Sequence, residues 1–331
     1  MSEKLYKTKT ITKCIICKNE IQMLLDLQDQ PEKVSIDFPL KLMYCNNCFH
    51  VQLNSVVNPE KLFKNYLYIS GTSKALKEYF DGFAFCSMIR YGSFNKYDER
   101  DYNDPVNLKI LDIGCNDASQ LDSFFDMNLK CGFNLTTVGV DPAENIYNNI
   151  TKHKTQHDIY CEFFSQSSVD KLKEKYGHFD IIIAQNVFTH IDNPGTFLEL
   201  SKQLMNQDSL LFIQTNHKNL IKNREFAQIN HEHLSFFNSN SMNILCNLNN
   251  IKLNRITTTT INSNDSNDSN DSNDSNDSND SNDCYIFEII LNRIVPRGTE
   301  EYNVYDELYK EICDKLYDYD FYEKYKLKNI D

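Results

Sequence analysis

Four cysteines stand in two pairs, Cys14 with Cys17 and Cys45 with Cys48, each spaced C-x2-C. Two such knuckles let four thiolates converge on one ion, the tetrahedral arrangement of a structural zinc site, and a shell filled by four thiolates leaves no open position for an activated water. His50 follows the last thiolate by two residues and is not counted as a ligand. In an oxidising compartment the same four cysteines would form two disulfides. The other seven of the eleven cysteines are scattered singly, as small buried hydrophobes are in a reducing compartment, so zinc is the expected occupant. The segment around the knuckles is too short for a core of its own, and the metal is expected to supply folding free energy that burial cannot.

A second group is Ile110-Leu-Asp-Ile-Gly-Cys-Asn-Asp-Ala118, an apolar run, a glycine and the start of a helical stretch. Gly114 lets the backbone approach a ligand closely, and the helix N-terminus beyond it favours a carboxylate. Ala118 stands where such a turn ends in a small residue. Asp112 is suited to hold an ammonium group, with Asn116 in the same turn, and Asp141, closing Val-Gly-Val-Asp-Pro, can bind both hydroxyls of a ribose. Further along, Ala184-Gln-Asn-Val-Phe-Thr-His190 offers Asn186 and Val187 as ligand contacts, while His190 suits capping or packing as well as catalysis. A nicotinamide dinucleotide site usually has a fuller G-x-G-x-x-G turn, so S-adenosylmethionine is the expected ligand.

The elements that must position these residues follow from hydrophobic periodicity. Short buried strands are expected at Lys109–Ile113, Thr137–Asp141, Ile159–Phe163, Phe179–Ala184, Ser209–Gln214, Ile251–Thr257 and Cys284–Leu291. Helical stretches lie near 119–130, 143–150, 167–176, 194–206 and 239–249. No helical stretch separates the last two strands, so they should pair as an antiparallel hairpin. The expected fold is α/β, a class I methyltransferase Rossmann-like seven-stranded sheet with an N-terminal zinc-binding module. Its divisions are a zinc module over 1–60, a helical linker or substrate lid over 61–105, the catalytic domain over 106–292 and a helical tail over 293–331. In the linker, Leu76, Phe80 and Phe83 fall at helical spacing between Thr72 and Arg90, as in a packing or lid helix.

Six segments resemble the zinc-containing C-methyltransferases that modify nucleotide-linked deoxyketosugars. They are Tyr44-Cys-Asn-Asn-Cys-Phe-His-Val-Gln-Leu53, Tyr66-Leu-Tyr-Ile-Ser70, Asp112-Ile-Gly-Cys-Asn-Asp117, Gly139-Val-Asp-Pro-Ala143, Gln185-Asn-Val-Phe-Thr-His190 and His231-Glu-His233. The resemblance runs from about Cys14 to Leu291. It implies that His231, Glu232 and His233 lie beside the cofactor methyl, with His233 as general base. His233 would take the proton next to a sugar ketone, with Glu232 orienting it. It also places Tyr66, Tyr68 and Ser70 on the substrate side. From the residues alone, the two histidines also read as ordinary polar loop residues or as metal ligands. Asn230 stands where the family has a tyrosine, Ser235 and Phe236 replace another, and Ala118 replaces a glycine. Family members carry a further αβ domain after the seventh strand. Here about 40 residues follow, with Val304, Leu308, Ile312 and Leu316 forming an apolar stripe expected to dock on the core or a partner. The alternatives to sugar C-methylation are O- or N-methylation of another small molecule, or a non-catalytic scaffold that binds S-adenosylmethionine and zinc.

Composition narrows the function classes. The net charge is −13, and seven Ser-Asn-Asp units between Ser263 and Asp283 contribute more than half of it. No basic stripe runs through the sequence, which argues against nucleic acid as the main partner. The repeat cannot bury apolar surface and is expected to be a disordered insert at the turn of the last hairpin. No apolar run is long enough for a bilayer span and the first residues are polar and charged, so a cytoplasmic protein acting on a small molecule is expected, with its oligomeric state undetermined.

Overall fold

The computed structural model describes residues 9–31, 37–94, 107–131, 133–152, 155–215, 228–262 and 281–291. All but the last unit of the Ser-Asn-Asp repeat lies outside these residues, as does the apolar stripe of 304–316.

The N-terminal strands are β1 (Lys9–Thr10), β2 (Gln22–Pro31), β3 (Asp37–Tyr44), β4 (Val51–Leu53) and β5 (Ser55–Val56). The short α1 (Pro59–Phe63) starts where Asn58 accepts the N–H of Glu60, and Pro59 gives up no needed donor at the first helical turn. A long α2 (Lys74–Phe94) follows, as the spacing of Leu76, Phe80 and Phe83 predicts; all three are buried.

The central unit runs β6 (Asn107–Ile113), α3 (Ser119–Cys131), β7 (Asn134–Val140), α4 (Glu144–Lys152), β8 (Asp158–Tyr160), α5 (Gln166–Tyr176), β9 (Ile181–Gln185), α6 (Pro194–Gln203) and β10 (Leu210–Thr215). After β11 (Ser235–Phe236) come α7 (Ser239–Leu248), β12 (Ile251–Asn262) and β13 (Ser281–Leu291). Seven of these strands form one sheet in the order β12-β13-β10-β9-β6-β7-β8. Pairing is parallel from β10 through β8 and antiparallel at β13, so the last hairpin forms as expected. The switch point, where successive connections leave in opposite directions, lies between β6 and β9; ligands of such sheets bind there.

Period-two alternation fills both faces of the sheet. Leu108, Ile110, Ile181, Ile183, Leu210 and Phe212 pack with α2 and α3, while Leu111, Ile113, Ile182, Leu211 and Ile213 pack with α5, α6 and α7. Arg90 of α2 reaches β13 and forms a two-pronged ion pair with Glu288, Nε to Oε2 and Nη2 to Oε1 both at 2.8 Å, with both side chains almost fully buried.

A second sheet, which the periodicity does not predict, orders β11-β4-β3-β2, all antiparallel. Leu40, Leu42, Leu53 and Val56 pack there against Ile229, Leu234 and Phe236. The zinc segment therefore has apolar support after all, because residues nearly two hundred positions later complete its core. Among the described residues no helix is long and apolar enough to cross a membrane.

Candidate functional site

A cavity of about 440 Å³ opens at the carboxyl ends of β6, β7 and β9. One wall starts where β6 stops. Gly114 has φ +78°, and its N–H donates to the Val140 carbonyl at 2.7 Å, folding the turn back over β7. A Cβ at Gly114 would stand 2.1 Å from Val187 Cγ2, so β9's exit and the glycine turn touch. Ala118 sits at φ +68°, which explains why a glycine suits this place and costs an alanine roughly 1 kcal/mol. Gly114→Ala is expected to lower stability by about 2 kcal/mol or more and weaken nucleoside binding at least tenfold, read by thermal melting and calorimetry.

Asp112, Asp117 and Asp141 crowd this turn. Asp112 is 3% exposed, and burial, then the charges of Asp141 and Asp117, push its carboxyl well above the usual range. Burial also raises Asp141, against the pull of two backbone donors: Asn116 N at 2.9 Å and Ala143 N at 2.8 Å. Both oxygens of Asp141 keep spare lone pairs for a diol. Among the described residues, no lysine or arginine lines the cavity, so a cationic group bound here would favour the ionised form of these raised carboxyls and be held by it.

Asn116, expected to contact the ligand, spends its amide on the cavity's cover. Its Oδ1 accepts the N–H of Ser70 at 3.0 Å and its Nδ2 donates to the Tyr68 carbonyl at 2.9 Å. Asp117 accepts the N–H of Gly71 at 2.8 Å. Asn145, which nothing local in the sequence singles out, clamps the backbone of Tyr66 from both sides. Asn186 and Val187 both line the cavity, Asn186 at φ +55° with its Oδ1 unpartnered among the described residues. Gln185, also absent from the expected set, is 9% exposed and both amide atoms lack a partner among the described residues. A glycine cradle, uncompensated carboxylates and unmet amide atoms fit an amino-acid nucleoside such as S-adenosylmethionine.

The opposite wall holds Tyr66, Tyr68, Ser70, His190, His231 and Glu232. The Tyr66 hydroxyl donates to Glu232 Oε2 at 3.2 Å; burial and the Glu232 charge raise its pKa and keep it protonated. Glu232 thus meets Tyr66 in a hydrogen bond, and acts on His233 through its charge. His231 is buried, donates from Nε2 to the Phe38 carbonyl at 3.2 Å, and serves as an anchor. His233 is one ring behind the cavity wall: it stacks on His190 at 5.3 Å, and His190 stacks on Phe63 at 5.3 Å. His233 Nδ1 lies 2.7 Å from the Gln228 carbonyl, which can only accept, so Nδ1 carries the proton and Nε2 is the basic nitrogen. Burial lowers its pKa, countered in part by Gln228 and Glu232, so the ring is neutral near pH 7.

The four cysteines converge as their spacing predicts. Their Sγ atoms lie within 4.8 Å of one another, with Cys14–Cys48 and Cys17–Cys45 at 3.4 Å. Thiolates about 2.3 Å from a tetrahedral ion would lie about 3.8 Å apart, whereas a disulfide needs about 2 Å. The cluster therefore fits one zinc ion and no disulfide. His50 stands outside it, fully buried.

The sheet order, the glycine turn and the strand-end carboxylate define a class I methyltransferase fold, and the comparisons agree. The methyltransferase domain family model matches residues 54–253, more than half of the chain, and a zinc binding domain model matches residues 14–63. The chain belongs to the methyltransferase domain family. It is similar to the C-methyltransferase NovU of Streptomyces niveus, 24% identical over 212 residues, covering 64% of this chain and 45% of that protein. It is also similar to the ubiquinone biosynthesis O-methyltransferase of Bartonella bacilliformis, 26% identical over 110 residues, covering 33% and 42%. The matched region spans less than half the length of these curated relatives. Among solved structures, the plantazolicin methyltransferase BpumL in complex with SAH is 15% identical, covering 64% of this chain and 85% of that one at a TM-score of 0.41.

Proposed function

We propose that this chain transfers a methyl group from S-adenosylmethionine to a carbon of a small acceptor, the ketosugar unit of a sugar nucleotide. The observation that carries the reading is the pair Asp112 and Asp141 at the Gly114 turn, Asp112 buried and Asp141 half-buried, in a cavity wall without lysine or arginine among the described residues. Asp112 would take the ammonium of the amino-acid end and Asp141 the ribose hydroxyls. When bound, the cofactor supplies an electrophilic methyl on a sulfonium.

The chain's own residues do the rest. His233 Nε2 takes the proton beside the ketone once the His190 ring stacked in front of it turns aside, and Tyr66, held by Glu232, orients the acceptor from the cover. The resulting enolate carbon is then the nucleophile. The acceptor-side wall, with Glu232 and no lysine or arginine among the described residues, suits a neutral sugar ring and offers a diphosphate no cationic partner. The same wall suits a neutral hydroxyl acceptor, so O-methylation is the second reading; similar proteins named as ubiquinone biosynthesis O-methyltransferases support it.

Calorimetry with S-adenosylhomocysteine, followed by incubation with methyl-labelled cofactor and panels of nucleotide ketosugars and phenols, tests both. A new carbon-bound methyl on a ketosugar is the expected product. An oxygen-bound methyl would move the assignment to the second reading, and absence of nucleoside uptake by zinc-loaded protein would overturn both.

A further inference from the structure

The zinc knuckles and the His-Glu-His segment lie far apart in the chain and are stitched together in space. β4 begins three residues after Cys48, and β11 begins two residues after His233. They pair antiparallel, Gln52 opposite Ser235 and Val51 opposite Phe236, and the N–H of Leu53 donates to the Leu234 carbonyl at 2.9 Å.

Side chains reinforce the pairing. The His50 carbonyl closes the second knuckle by accepting the N–H of Cys45 at 2.9 Å. The His50 ring lies 3.4 Å from the Ser235 hydroxyl and 4.9 Å from the Phe237 ring centre. Gln52 is fully buried; its Oε1 accepts the N–H of Ile15 in the first knuckle at 2.9 Å, and its Nε2 lies 3.4 Å from the Lys13 carbonyl. Beyond β11, Asn238 donates to the Phe49 carbonyl at 2.6 Å and Asn240 to the Cys48 carbonyl at 3.1 Å. The second knuckle therefore grips β11 and the residues after it, directly following His231, Glu232 and His233, while the first knuckle holds β11's partner β4 through Gln52. The cofactor turn, by contrast, is built by β6 and β7.

We infer that the four-cysteine centre acts as a positioning device for the acceptor-side segment 231–236, with Gln52 as the positioning residue that ties the first knuckle to β4, the strand that continues from the second. Metal held by the thiolates fixes β4, and β4 fixes the frame of His233. The catalytic consequence rests on the proposed role of His233; the positioning itself does not.

Hydrogen–deuterium exchange separates the two. The protein is compared zinc-loaded, stripped by a chelator, and as Gln52→Leu, which keeps all four thiolates, each saturated with S-adenosylhomocysteine. Amides of 231–236 are expected to exchange at least about tenfold faster in the stripped protein and in Gln52→Leu, with 110–114 and 138–141 unchanged. In Gln52→Leu, with zinc content verified, kcat should fall while the KM for cofactor holds. Unchanged exchange at 231–236, or a loss of protection spread equally over 110–114, overturns the inference. If Gln52→Leu fails to fold, the stripped native protein reads the same amides. Absence of methyl transfer by the native protein sinks the proposed function and leaves the exchange result standing.

Discussion

Replacing His233 with asparagine is expected to cut kcat by about 10²–10⁴-fold, with affinity for S-adenosylhomocysteine held within about threefold. The asymmetry follows from placement. His233 stacks on His190 on the acceptor side, whereas the nucleoside is expected at the Gly114 turn. Asparagine keeps a donor for the Gln228 carbonyl and lacks the basic Nε2. His190→Asn should cost less, because His190 contributes a stacking face between Phe63 and His233. The same base sets the pH profile. Burial holds His233 below its ordinary 6.5, and a base works only unprotonated. Activity should therefore be flat above 6.5 and fall on the acid side, with an apparent pKa below 6.5. A steady-state profile showing an acid limb above 6.5, or the same limb in the variant, would remove His233 from the reaction.

Arg90→Met is expected to cost about 3–5 kcal/mol, because it leaves the buried Glu288 carboxylate without its guanidinium, with only the neutral Asn254 amide, among the described side chains, still donating to it. The double variant Arg90→Met/Glu288→Leu should recover most of that loss, since a buried ion pair replaced as a unit by apolar groups is often neutral. Urea titration of the three proteins decides the matter; equal losses in single and double variants would contradict the argument. Acid acts on the same pair. Burial would raise Glu288, but hydrogen bonding and charge from Arg90 outweigh it and leave its pKa below the ordinary 4.5. A carboxylate so depressed stabilises the fold fully above 4.5, and that stability is lost as pH falls through the folded value.

The central sheet was legible because its strands are short, apolar and punctuated by helices, so spacing alone located Ile110, Val138, Ile182 and Phe212. The cysteine knuckles were legible for a different reason: metal geometry leaves a fixed spacing. The second sheet was not. β2 is broken by two register shifts and a left-handed Gln28, which spoil its alternation, and β11 is two residues long. Its pairing with β4 is a contact between distant parts of the chain, which no local pattern records. The same limit explains Asn116 and Glu232. Their side-chain types signalled polar chemistry, but their partners, the 68–70 backbone and the Tyr66 hydroxyl, come from a segment some fifty residues or more away.

The cover over the cavity is fastened at Ser70, Tyr68 and Gly71 to the very turn, Asn116 and Asp117, where the nucleoside is proposed to sit. Lifting that cover therefore disturbs the Gly114 turn as well. On the proposed function, cofactor discharge and acceptor entry are expected to be coupled through these three hydrogen bonds, with the opening rate of the cover setting an upper bound on the cycle.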